Sequence, residues 1–485
     1  MQIQKLRLAL IIPYLAFVGS PCLTSAPFAR GAEAPESSKL EGAWLGPLKI
    51  GAIELRLVLK ISVDDAGKLS AKVDSIDQGA KDIPVETITF ADGTLTAELK
   101  LIGGKFVGKL DSDQQALVGT WTQAAQSLPL TLKKTEGDFQ LKRPQEPKPP
   151  FPYRSIDVKF DNATDHVTLA GTLTVPEGAG PFPAIILITG SGPQDRDEFL
   201  LGHRPFLVLA DHLTRRGIAV LRYDDRGVAK STGNFATSTT HDFKRDAAAA
   251  FDYLLTRPEI DAKRIGLCGH SEGGLIAPMV ASEKPEVAFI VLMAGTGVTG
   301  EEILYRQGAL IARSMGADEA ALPRILERQK KLFAEMKQDP QGTHLDETLN
   351  ALIAGIESPE ERKVAEQSLK GQAAAIGSPW FRAFLVLDPR VALKQVTCPV
   401  LAINGGKDLQ VDPAQNLPEI AAALKAGGNH DATTLELPEL NHLFQTCQTG
   451  AVSEYGQIEE TIAPAALNAI GDWIVQKTAK SDATK

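Results

Sequence analysis

The stretch RIGLCGHSEGGLIAPMVAS, Arg264 to Ser282, decides the fold. It begins as a short apolar run that reads as a buried strand and ends in small and apolar residues at helical spacing. Between the two, Gly269-His270-Ser271-Glu272-Gly273 matches G-x-S-x-G. A strand that becomes a helix this abruptly leaves no room for side chains two before and two after the serine, and glycine stands at both places. The turn leaves the Ser271 hydroxyl exposed at the carboxyl edge of a sheet.

Outward from this turn, the apolar runs AIILIT, IAVLRY, RIGLCG, AFIVLMAG and PVLAING alternate with amphipathic segments such as FLVLADHLTRRG and DFKRDAAAAFDYLLTRP. Continuous apolar strands alternating with helices predict an α/β domain, here residues 154–478, built on a mostly parallel sheet covered on both faces. One connection is far longer than the rest. Between AFIVLMAGTG and PVLAING, about residues 301–380 are rich in Ala, Glu, Leu, Lys and Arg at helical spacing, which predicts a helical cap over the end of the sheet. A cap in that place shapes a pocket.

Before this domain the grammar is different. Residues 38–142 run through IELRLVLKISV, KLSAKVDSI, TLTAELKLI, KFVGKLD, ALVGTWTQ and LPLTLKK, a period-two alternation broken by turn residues, which predicts a small all-β barrel or sandwich. The stretch RPQEPKPPFPY, 143–153, has five prolines in eleven residues and reads as the linker between the two.

Residues 1–32 read as a signal peptide: Lys5 and Arg7, the apolar run LALIIPYLAFVG, then small residues, with cleavage expected between Ser25 and Ala34. The run is too short for a membrane span, and Pro21 before Cys22 is a poor fit to a lipoprotein cleavage box. The expectation is therefore an exported protein, periplasmic or secreted, with no stable membrane insertion after the leader is removed. Cys268, Cys398 and Cys447 then remain, too few for a disulfide framework, and they read as buried hydrophobes. No His/Cys spacing resembles a zinc site. With 51 Lys+Arg against 60 Asp+Glu and no basic run, nucleic-acid partners are excluded.

A serine hydroxyl needs a base to take its proton and an acid to orient that base, and strand-turn-helix serines of this type take them in the chain order Ser, Asp or Glu, His. Beyond the next expected strand only His430 and His442 qualify. His442, in LPELNHLFQ after the run TTLELP, falls just past the last strand, whereas His430 in AGGNHDA falls before it, at the wrong end of the sheet. Asp408 follows the strand PVLAING at the edge where Ser271 lies, while Asp412, immediately before Pro413, reads as a helix-start residue. An oxyanion needs backbone N–H donors. Glu272, the residue after the serine, supplies one, and Ser191 in Gly190-Ser191-Gly192-Pro193 the other, with Gly192 close behind. Pro193 and a missing third glycine argue against reading that loop as a nucleotide fingerprint.

The stretches ITGSGPQDRDE, LRYDDRGVAKSTG, GHSEGG, NGGKDLQV and the Asn-His of LPELNHLFQ, in this order, resemble the α/β-hydrolase superfamily, and more narrowly the bacterial exported esterases grouped with serine aminopeptidase-like hydrolases. The resemblance runs from about Tyr153 to Lys477 and places nucleophile, acid and base on Ser271, Asp408 and His442. Ala229 departs from the glycine common in related chains, and Asp224, Asp225 and Arg226 read as a structural ion-pair cluster. The expected activity is hydrolysis of a small acyl ester through an acyl-enzyme, without metal or organic cofactor. The rivals are a thioesterase, an aminopeptidase, whose free amino terminus cap glutamates such as Glu301 and Glu302 could hold although they read better as helix-surface charge, and a non-catalytic protein that binds cell-envelope polymer.

Overall fold

The computed structural model describes residues 39–479, apart from 51–52, 65, 77–79, 124–125 and 137–141. The expected leader, Cys22 included, lies outside the described residues.

The N-terminal strands are β1 (Gly42–Ile50), β2 (Ile53–Val63), β3 (Leu69–Ser75), β4 (Ala80–Pro84), β5 (Thr87–Ala91), β6 (Thr94–Leu99), β7 (Gly104–Leu110), β8 (Ala116–Gln123) and β9 (Gln126–Thr135). They form one antiparallel sheet in the order β4-β3-β2-β1-β9-β8-β7-β6-β5, and β3 comes back against β5. Alternate residues from most of these strands meet in a single core around Trp44, Leu59, Leu95, Phe106, Trp121 and Leu132. This is one curled sheet rather than two facing ones.

The second domain holds β10 (Tyr153–Asn162), β11 (Val167–Pro176), β12 (Phe182–Ile188), α1 (Pro205–Arg215), β13 (Ala219–Tyr223), α2 (Thr240–Leu255), β14 (Ile260–His270), α3 (Glu272–Glu283) and β15 (Phe289–Met293). After a helical insertion come β16 (Val400–Gly405), α10 (Pro413–Ala426), β17 (Ala432–Leu437), α11 (Val452–Tyr455) and α12 (Pro464–Thr478). The sheet order is β10-β11-β13-β12-β14-β15-β16-β17. The sheet is mixed: β10 with β11 and β11 with β13 pair antiparallel, and every pairing from β13 to β17 is parallel.

Successive side chains of the parallel strands go to opposite faces, and both faces are covered. In β12, Ile186 and Ile188 join Phe251 of α2, Ile276 of α3 and Leu424 of α10, while Ile185 and Leu187 join Leu209 of α1 and Ile470 of α12. Because β12, β14, β16 and β17 run the same way, the residues that follow each of them gather at one edge.

The insertion consists of α4 (Gly300–Ser314), α5 (Leu322–Gln338), α6 (Leu345–Ala354), α7 (Pro359–Ile376), α8 (Pro379–Val386) and α9 (Pro389–Leu393), so helix continues beyond Trp380. Its apolar faces close on Leu304, Phe333, Ile353 and Phe381 and rest on Leu275 and Met279 of α3. No helix among the described residues is long and apolar enough to cross a membrane.

Candidate active site

Ser271 joins β14 to α3 with φ 52° and ψ −112°, a left-handed conformation that a side-chain-bearing residue adopts only when its surroundings enforce it. They do so by close approach: a Cβ at Gly269 would lie 1.9 Å from the Gly273 carbonyl oxygen, and one at Gly273 would lie 2.1 Å from that of Ile188. The Ser271 N–H donates to the Met293 carbonyl at 2.8 Å, which ties the turn to β15.

His442 follows β17, and its Nδ1 lies 2.7 Å from Asp408 Oδ2. The Asp408 carboxylate also accepts the N–H groups of Gln410 at 2.8 Å and Val411 at 2.9 Å on its other oxygen. Three donors fix the carboxylate, and with Nδ1–H donating to it Nε2 is the ring nitrogen left to act as a base. Ser271 and His442 line one cavity of about 200 Å³. Asp408 is 2 % exposed and His442 5 %. His430 is exposed in the loop before β17, at the far end of the sheet, and Asp412 is the N-cap of α10, accepting the Ala414 N–H.

The loop Gly190-Ser191-Gly192 lines the same cavity, and a Cβ at Gly190 would lie 3.4 Å from Ser271 Cβ. Both expected N–H donors thus belong to segments flanking the serine: Ser191 on this loop, and Glu272 at the first turn of α3, where N–H groups have no acceptor within the helix. The side chain of Glu272 has a separate task. It is buried and its Oε1 accepts Thr240 Oγ1–H at 2.6 Å and Trp380 Nε1–H of α8 at 2.7 Å, which joins the insertion to the turn. Burial pushes this carboxyl up, the two hydrogen bonds pull it partway back, and it titrates at about 7.

Two residues that sequence reasoning passed over complete the frame. Glu198 accepts the Gly190 N–H at 2.8 Å and lies 2.9 Å from His270 Nδ1, and His270 Nε2 lies 3.0 Å from the His442 carbonyl oxygen. Since a carbonyl only accepts, Nε2 carries a proton, and Nδ1 faces the Glu198 carboxyl: burial pulls the His270 pKa down, and the charge and hydrogen bond of Glu198 more than offset it. The pair links the Gly190 loop, the Ser271 turn and the His442 loop. His270 is the variable residue of G-x-S-x-G and Glu198 ends ITGSGPQDRDE, so both lay inside quoted motifs with nothing in their spacing to mark a partnership.

One reading is corrected. Asp224, Asp225 and Arg226 do not form one cluster: Asp224 pairs with Arg196 and Arg226 with Asp165 and Asp246, while buried Asp225 accepts Thr189 Oγ1–H and the Gln194 N–H. Glu301 and Glu302 do not line the cavity; Glu301 meets Lys337 and Tyr305, and Glu302 closes the capping box of α4. Cys268 and Cys447 are buried and Cys398 half-buried, all unpaired, and burial pushes the Cys398 thiol up to about 12. Among the described residues no group of three or more His, Cys, Asp or Glu side chains is arranged to hold a metal ion.

A serine on a strained strand-to-helix turn, backed by an aspartate-held histidine at the same edge of a helix-covered sheet, defines an α/β hydrolase. Residues 165–442, more than half of the chain, match the family X-Pro dipeptidyl-peptidase (S15 family), and the chain belongs to it. Esterase EstD of Thermotoga maritima is 28% identical over 281 residues, covering 57% of this chain and 58% of its own length. Acyl-coenzyme A thioesterase 1 of Mus musculus is 31% identical over 136 residues, 28% of this chain and 29% of its own. The chain therefore spans less than two thirds of either relative. A solved esterase of Pyrococcus furiosus is 18% identical with a TM-score of 0.42, covering 70% of this chain and 99% of that one.

Proposed function

We propose that the chain is a serine esterase that cleaves carboxylic esters of small acyl substrates by way of an acyl-enzyme. The observation that carries this reading is the 2.7 Å bond from His442 to Asp408, which leaves a lone-pair nitrogen on a histidine lining the cavity that holds Ser271. Ser271 Oγ attacks the ester carbonyl while His442 Nε2 takes its proton and Asp408 stabilises the imidazolium. The oxyanion accepts the N–H groups of Glu272 and Ser191. His442 then protonates the leaving alcohol, and water repeats the sequence on the acyl-enzyme to release the acid; no cofactor enters. The similarity to an esterase over 57% of the chain supports the ester.

The family match brings a peptide substrate as the second reading, but Glu301 and Glu302 are committed outside the cavity and do not form an amine pocket. The leader extends the proposal to an exported enzyme, periplasmic or secreted, which N-terminal sequencing of the protein from its host would test. The function itself is tested on p-nitrophenyl esters of increasing chain length beside aminoacyl and X-Pro p-nitroanilides, with the wild type and Ser271→Ala. Ester turnover lost in Ser271→Ala is the expected result; dominant anilide turnover moves the assignment to a peptidase. Equal background from both proteins refutes the serine mechanism.

A further inference from the structure

The proline-rich linker reaches the wall of the cavity. Arg143 donates from Nε to the Gly202 carbonyl at 3.0 Å and from its terminal nitrogens to the carbonyls of Leu201 at 3.2 Å, Gly456 at 3.1 Å and Ile458 at 2.7 Å. One guanidinium thereby joins the loop after β12 to the segment after α11. Gln145 adds a second fastening on that segment: its Oε1 accepts the N–H groups of Thr461 at 2.6 Å and Ile462 at 3.1 Å, and its amide donates to the Ile462 carbonyl at 2.7 Å. Beside this joint the loop after β12 meets α11 and the His442 loop in a small apolar cluster of Leu201, Tyr455 and Leu443, with Leu200 and Val452 packed on it, and all five residues line the cavity. Inside the joint, His203 holds Thr461 Oγ1 at 3.0 Å and the Tyr455 carbonyl at 2.9 Å. Burial, and then the charge of Arg143, bring His203 down to about 4, so it is neutral near pH 7.

We propose that Arg143 is a specificity-determining positioning residue: from the linker it holds together the two segments that form the Leu200–Tyr455 wall, and so sets the length of acyl chain the cavity accepts. This rests on the esterase reading above. A planar fork with five donors can serve carbonyls on two segments at once, whereas a lysine ammonium on a flexible stem holds no such fixed geometry. The left-handed Gly202, φ +78°, supports the same close approach, because a Cβ there would stand 3.3 Å from the guanidinium. Docking the linker also makes the wall depend on the chain segment that leads in from the β domain.

The test uses the full-length mature chain with Arg143→Ala and Arg143→Lys, so that the lysine variant, which keeps the charge, serves if the alanine variant fails to fold. Two quantities are read: backbone hydrogen exchange over residues 197–204 and 452–462, and the ratio of kcat/KM for octanoyl over acetyl p-nitrophenyl ester. Exchange in both segments is expected to quicken about tenfold with the sheet strands unchanged, from the loss of hydrogen bonds that close them. The ester ratio is expected to shift about tenfold, the scale of discrimination set by a methylene contact or two in an apolar wall. Unaltered exchange in both segments overturns the proposal, as does an unaltered ester ratio in a variant whose exchange has quickened. If the wild type turns over no ester while exchange still quickens, the esterase reading fails and the role of Arg143 in holding the wall stands.

Discussion

Glu272→Gln should make this protein more stable in mild alkali while leaving it nearly unchanged in acid. The side chain is 4 % exposed, and both of its hydrogen bonds, from Thr240 and Trp380, go to one oxygen. A glutamine carbonyl oxygen can accept both, so the substitution keeps the bridge to the insertion and removes the titration. A carboxyl that titrates at 4.5 unfolded and at about 7 folded binds its proton more tightly in the folded state by about 3 kcal/mol. Because the folded value is raised, the stabilisation is fully present below pH 4.5 and is lost as pH rises through 7. The wild type therefore loses about 3 kcal/mol across that window from this group, and the variant does not. Thermal unfolding followed by tryptophan fluorescence at pH 4.5 and pH 8 measures the difference, which should open by roughly 5 °C or more at the higher pH. A gap between variant and wild type that is equal at both pH values would show that Glu272 titrates normally and refute the argument.

Gly269→Ala should destabilise the catalytic domain by about 3 kcal/mol or more, since the new Cβ would lie 1.9 Å from a backbone oxygen; urea unfolding checks it. Ala229, where related chains often have glycine, sits at φ 45°, and Ala229→Gly should raise stability by about 0.5–1 kcal/mol, the left-handed strain relieved less the entropy of glycine. Glu198→Ala removes the acceptor that the Gly190 N–H and His270 share and, on the proposed mechanism, should lower kcat about 10- to 100-fold with little change in KM, because it displaces the Gly190 and His442 loops rather than the substrate. A kcat within twofold of wild type would remove Glu198 from the positioning frame.

Much of the site is written locally. The turn at Ser271 could be read because its demands are steric and short in range: glycine at fixed offsets, an apolar strand before and a helix after. Asp408 and His442 could be placed because parallel strands bring their carboxyl ends to one edge, so chain position translates into spatial position. Period-two alternation likewise marked the N-terminal strands as β before any pairing was known.

Pairing and partnership lay beyond that reach. Nothing in the apolar runs shows that β11 and β13 pair antiparallel, since a strand buried on both faces carries the same composition in either sense. The His270–Glu198 pair joins residues 72 apart, the Trp380–Glu272 bond spans 108 and the Arg143–Ile458 bond 315. At each of these positions the sequence alone determined a residue capable of the bond. Only the tertiary structure decided which partner it meets, because a hydrogen bond depends on positions within about 3 Å, and distances that small between remote segments exist only once the sheet, the cap and the linker have packed.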